Sequence, residues 1–194
     1  MTLTLSHLLS LARYTVQSPR DGARMVMQAN LPMPFRWAAL ALMAVASSLM
    51  AHLSFGLMPA EMQAQMGGAM ASPFRTAVLQ AALMLGSVYA IHWIGRWRNG
   101  KGSFEDALIL MVWLQFILLI LQVVQIAVQL VMPPLSDLIG ILSVAVFLWL
   151  LSNFIAELHG FSSVGMTFLG VLATLLALGF GLAILMVPFM GAGV

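Results

Sequence analysis

Long apolar runs separated by short polar breaks dominate the chain. No formally charged residue falls between Arg36 and Glu61, between Arg75 and Arg96, between Asp106 and Asp137, or between Asp137 and Glu157, and none follows Glu157. A helix needs about 20 apolar residues to cross about 30 Å of hydrocarbon, so each stretch is long enough for one crossing. The third is long enough to tilt or to protrude. The fifth has an apolar core from Val164 to Val187 with no interior turn signal, so it counts once. Strands of a membrane barrel alternate faces, whereas these runs are apolar all round, and lipid demands that backbone bonds close within the segment. The pattern predicts an all-α polytopic bundle, a transmembrane domain over residues 36–194 with helices near 37–57, 74–95, 104–131, 135–156 and 163–187. The breaks agree with that count. Pro59 and Gly67-Gly68 mark the first loop, and Pro73 opens the second helix. Asn99 to Gly102 mark the second loop, Pro133-Pro134 the third and His159-Gly160 the fourth, while Pro188 and Gly191 close the fifth helix.

Residues 1–35 read differently. Leu5, Leu8, Leu9 and Ala12 recur at helical spacing. Ser18-Pro19-Arg20-Asp21 then supplies an N-cap, a proline at the first helical position and an acidic third residue. Met25, Val26 and Ala29 follow on one face, with Arg20 and Arg24 on another. Two short amphipathic helices lying along the membrane interface are the expectation, serving as a surface anchor or as a docking surface for a partner protein. No compact apolar core precedes a small-residue cleavage site, so no secretory signal is expected.

Composition strengthens this picture. Hydrophobic residues make up 62% of the chain and charged residues 7%, against about 25% charged in soluble domains. So few charges suit a surface that faces lipid. There is no cysteine, which excludes disulfides and thiolate metal sites. A net charge of +2 offers no concentrated basic face for nucleic acid. Arg13, Arg20, Arg24 and Arg36 precede the first span, and Arg96, Arg98 and Lys101 lie in the second loop. Arg75 alone falls on the opposite side. The positive-inside rule then puts the N-terminus in the cytoplasm and, after five crossings, the C-terminus across the membrane.

Candidate chemistry is sparse. In the second loop, Gly100 and Gly102 permit a tight turn. Ser103 and Asp106 stand at capping-box spacing, and Glu105 and Asp106 suit the helix dipole. Arg96, Arg98 and Lys101 are placed to contact anionic head groups. The spacing is not that of a phosphate-binding loop, and two acids beside it would repel phosphate. On the third span, Gln115, Gln122, Gln125 and Gln129 share one sector. They either hydrogen-bond to neighbouring helices or line a polar path. His52 and His92 fall on opposite sides and cannot share a metal. Arg20, Arg24, Glu157 and His159 are further candidates for lipid or partner contact, with Glu157 pairing to Arg96 or Arg98 and Asn153 one turn away. Nothing supplies a nucleophile or pocket beside them, so no catalytic residue, metal or cofactor is expected. Ala82, Gly86 and Ala90, and likewise Ala173, Ala177 and Gly181, form small-residue faces suited to close helix packing or to a second copy of the chain.

The order of these features resembles the Yip family, five-crossing membrane proteins that interact with Ypt-type GTPases. The resemblance lies in SPRDGARMVMQANLP, residues 18–32, as the approach to the first span. It continues in GRWRNGKGSFEDALILMVW, residues 95–113, as the glycine-rich basic loop, and in LHGFSSVGMTFLGVL, residues 158–172, as the last loop. The compact chain is similar to the bacterial branch. The resemblance implies a non-enzymatic protein of the bacterial inner membrane that organises membrane or binds a protein or lipid partner through its cytoplasmic face. A small channel or transporter built on the glutamine face is the other expectation.

Overall fold

The computed structural model describes residues 4–68, 70 and 72–190. Among the described residues the chain is all helical, with elements α1 (Leu5–Gln17), α2 (Pro19–Gln28), α3 (Met33–Gly56), α4 (Ala60–Met66), α5 (Pro73–Trp97), α6 (Phe104–Val131), α7 (Pro133–His159) and α8 (Val164–Met190). Five of them, α3, α5, α6, α7 and α8, are long and apolar enough to cross a membrane. The short α4 lies in the loop that Pro59 opens, with Glu61 in its first turn. α3 starts ahead of Arg36 because Pro34 suits the first helical turn. α8 continues past Pro188 to Met190, and Gly191 lies outside the described residues.

α6 is the axis of the bundle. Half of its apolar window is buried, against 11% for α5 and for α8, which makes those two the outer helices. The continuous run Ala107–Leu114 is buried all round, because α3, α5 and α7 each pack on α6. α3 also packs on α5, and α8 packs on α7. Leu42, Leu83, Leu138, Ile141 and Phe180 point outward and are more than half exposed. An apolar surface that extensive would drive association in water. In a bilayer it meets its proper solvent.

The small-residue faces do not serve as packing seams within this bundle. Ala82 and Gly86 are exposed, and a Cβ at Gly86 would meet no neighbour. Ala173, Ala177 and Gly181 are also exposed. Bulky residues of α6 occupy the centre, leaving the faces of α5 and α8 that carry small residues turned outward.

The N-terminal helices fold onto the bundle. α2 packs against α7 and α6, and α1 against α2. The buried face of α2 is Pro19, Gly22, Ala23 and Val26, the i, i+3, i+4, i+7 stripe of an amphipathic helix. Met25 is half exposed and Ala29 is exposed, so the inward face is turned from the one expected around Met25, Val26 and Ala29. The reason is close approach. A Cβ at Gly22 would lie 2.5 Å from Thr15 Oγ1, so only glycine lets α1 cross there. Thr15 is fully buried. Its hydroxyl donates to Leu11 O at 2.8 Å and accepts from Trp113 Nε1 at 3.2 Å, tying α1 to α6. Ser18 makes no side-chain cap bond.

Replacing Gly22→Val should therefore push α1 off α2. The expected cost is about 1–3 kcal/mol, the usual range for overpacking. Limited proteolysis should cut within residues 5–17 of the variant sooner than in the parent chain.

Candidate functional site

Polar chemistry concentrates at one end of the bundle, where α7 stops. Gly160 takes the left-handed conformation, φ 71°, and Phe161 N–H donates back to Ala156 O at 2.8 Å, the glycine-terminated turn that commonly ends a helix. His159, one residue earlier, is 2% exposed. Its imidazole lies in a socket of three glycines from α5 and the following loop. A Cβ at Gly95 or Gly100 would overlap the ring, and one at Gly102 would crowd both the ring and Leu158. Gly102 N–H donates to Nδ1 at 3.2 Å. The proton consequently sits on Nε2, which donates to Ile91 O at 3.1 Å. Lys101 N–H adds a bond to His159 O at 3.3 Å, and Phe161 stacks on the imidazole at 5.5 Å. The basic loop is thus clamped to the end of α7. A buried His159 offers no surface contact to lipid or partner.

Glu157 anchors α2 to the same place. Arg20 Nε donates to Oε2 at 3.1 Å, and Arg24 donates to Oε1 through Nη2 at 2.8 Å and Nε at 2.9 Å. Arg20 also donates to Phe161 O at 2.8 Å. Glu157, 15% exposed at the side chain, takes these two arginines rather than Arg96 or Arg98, because α2 packs across α7 on that side. The bond and then the charge of Glu157 raise the Arg24 guanidinium above its ordinary pKa. A second tie joins α3 to α6. Arg36, 7% exposed, donates to Leu31 O at 2.8 Å and to Asp106 Oδ1 at 3.4 Å. Asp106 also closes the cap of α6: its N–H donates to Ser103 Oγ at 3.0 Å, and Ser103 Oγ donates to Asp106 Oδ2 at 2.7 Å.

The remaining candidates separate into exposed and internal groups. Arg96, Arg98 and Lys101 are exposed, and among the described residues none of the three forms an ion pair. Gln115 donates to Ser47 Oγ on α3 at 2.8 Å. Gln125 lies near Gly140 of α7, where a Cβ would come within 3.2 Å of its amide. Gln122 and Gln129 are half-buried. Asn153 donates to Trp149 O at 2.8 Å and stays out of the Glu157 cluster. His52, at the opposite end, faces Ser48 O and Met70 O. His92 lies edge-on to Phe104. Among the described residues no three histidines or acids gather where a metal would be held.

A cavity of 690 Å³ opens between α5 and α8 over a floor that includes Leu151 and Ile155 of α7. Trp97, Arg98, Ser162 and Ser163 stand at its mouth, and none of the four glutamines lines it. Three hydroxyls along its walls donate to their own helices: Ser87 to Leu83 O, Thr167 to Ser163 O and Thr174 to Gly170 O, at 2.8–2.9 Å. The wall is therefore apolar in effect. Sequence reasoning missed this groove, the part Gly95 plays in the histidine socket and the Arg36–Asp106 tie. Glycines flanking the basic loop were the only signal, and they do not say which ring they admit.

A family model for the Yip1 domain matches residues 13–185. No curated protein and no solved structure matches the chain.

The socket makes a specific prediction. Gly95→Ala should destabilise the fold by about 1–3 kcal/mol through overlap with the imidazole. His159→Ala should also destabilise it, by leaving Gly102 N–H without its partner and the socket empty. Combined, the two changes should cost less than their sum, since the second removes what the first strikes. A double-mutant cycle on thermal unfolding in detergent measures the coupling, and strict additivity would refute the socket.

Proposed function

The chain belongs to the Yip1 domain family, and on that premise we propose a non-enzymatic integral membrane protein that binds a protein or lipid partner through its basic end. The observation that carries this reading is the contrast among cations at that end. Arg20, Arg24 and Arg36 are consumed in internal pairs, while Arg13 on α1, Arg96 in the last turn of α5, and Arg98 and Lys101 beside the contacts of His159 stay exposed. Exposed cations on a rigid support suit an anionic or acidic surface.

In this reading residues 1–35 form a platform beside the loop and residues 36–194 form the membrane body. The basic end faces the cytoplasm of a bacterial inner membrane, with the C-terminus across the bilayer, as the bias of Arg and Lys favours. The chain acts singly or as a homo-oligomer. A path along the glutamines is the weaker alternative, since Gln115 is engaged with Ser47 and none of the four glutamines lines the cavity between α5 and α8.

The lack of native cysteine makes topology directly measurable. In intact cells, an impermeant maleimide should label an Ala64→Cys chain from outside and a Glu105→Cys chain only after permeabilisation. A photo-activatable side chain placed at position 105 should form a discrete protein or lipid adduct. Its yield should fall sharply when Arg96, Arg98 and Lys101 become alanine, since about 1 kcal/mol per cation at an anionic surface weakens binding roughly 100-fold for the three. Reversed labelling, or an adduct indifferent to the triple change, refutes the proposal.

A further inference from the structure

We propose that the groove between α5 and α8 is a binding site for an anionic glycerophospholipid, with one acyl chain along the groove and the phosphate on Arg98. The proposal rests on the reading that the basic end works on lipid or partners, and it names a ligand class and a site for it.

Size and depth come first. The cavity of 690 Å³ falls within the roughly 300–1,000 Å³ of small-molecule sites. On α5 it extends from Ser87 to Trp97, about 15 Å of helix, which is half of a hydrocarbon layer of about 30 Å. On α8 it extends from Ser163 to Leu178, about 22 Å. The groove therefore reaches at least one leaflet deep. Small residues on both walls make the room: Ala90 on α5, Gly170 and Ala173 on α8. A Cβ at Gly170 would meet no neighbour.

The chemistry changes along its length in the order a phospholipid requires. Deep in the groove the lining is Phe147, Leu151, Val171 and Leu178, with the hydroxyls turned to their own backbones. At the mouth stand Arg98, Ser162 and Ser163. The first turn of α8 begins there too; Met166 N–H donates to Ser163 Oγ at 3.2 Å, and the positive end of the helix dipole favours an anion. Trp97, 85% exposed, lines the same mouth. Tryptophan settles at head-group level, which sets the cation at phosphate depth. Arg98 has no carboxylate partner among the described residues. A second copy of the chain would bring Arg96, Arg98 and Lys101 toward like charges, and an uncharged helix end would leave Arg98 uncompensated. An anionic head group answers both objections.

Native mass spectrometry of the full chain tests this after reconstitution in nanodiscs of equal phosphatidylglycerol and phosphatidylcholine and transfer to mild detergent. One retained phosphatidylglycerol per chain is expected, favoured over phosphatidylcholine about fivefold, the effect of one cation at an anionic surface. Arg98→Gln, on an exposed loop, should erase that preference. Gly170→Leu and Ala173→Phe should each fill the groove and abolish retention with helix content unchanged. Equal retention of both lipids, or retention indifferent to Arg98→Gln and to the groove variants, means annular lipid only and overturns the site. A lipid-free dimer dispersed by Ala173→Phe overturns it in favour of a second copy. Loss of the adduct at position 105 with lipid retention intact refutes the docking reading alone, and the converse refutes this site alone.

Discussion

A charge in hydrocarbon must be paired or moved to the edge, and most of this structure follows from that constraint. An ion left alone in a low-dielectric interior costs several kcal/mol, so the few charged side chains of this chain sit near helix ends. There they act as ties. Arg36 can be 7% exposed because Leu31 O and Asp106 receive its donors. Glu157 can stand at the last turn of α7 because two arginines of α2 reach it. Each pairing also fixes an element: Asp106 holds the start of α3 against α6, and Glu157 holds α2 across α7. Neutral groups obey the same rule, since His159 satisfies both ring nitrogens inside its socket.

Within the membrane the hydrophobic effect cannot choose helix neighbours, because lipid is as apolar as leucine. Shape and scattered hydrogen bonds decide instead. α6 is buried all round from Ala107 to Leu114 and packs with three other spans, α3, α5 and α7. α5 and α8 stay at the periphery, with alanine and glycine on the sides that border the groove. Gln115 reaches Ser47 and Trp113 reaches Thr15, adding direction where packing alone has little.

One end of the molecule is consequently well tied and the groove beside it is open. Two amphipathic helices, the clamped loop and the turn after α7 meet there, and Arg13, Arg96, Arg98 and Lys101 form no ion pair among the described residues. Loops held by a rigid scaffold are where binding is normally built. The Yip1 domain match over residues 13–185 covers the end of α1 and all of the other parts.

Much of this was legible along the chain, for a local reason. A membrane crossing depends on the length and apolarity of one contiguous segment, so five spans can be counted without knowing any contact. The Ser103–Asp106 cap and the proline that begins α2 join residues at most three positions apart, and they too are visible as spacing. Partner choice is another matter. Arg20 and Glu157 are separated by 137 positions, and Trp113 and Thr15 by 98; local pattern carries no information about such pairs. The inward face of α2 was misread because Gly22 and Thr15 meet only once α1 crosses it. The pairing of Glu157 was misread because Arg96 and Arg98 carry the same charge as Arg20 and Arg24, and only the course of α2 over α7 distinguishes them. Local residue pattern is enough to specify a five-span helical membrane protein with its basic residues biased to one side. Tertiary packing decided which cations are spent, which are left for a ligand, and that α5 and α8 stand apart with a groove between them.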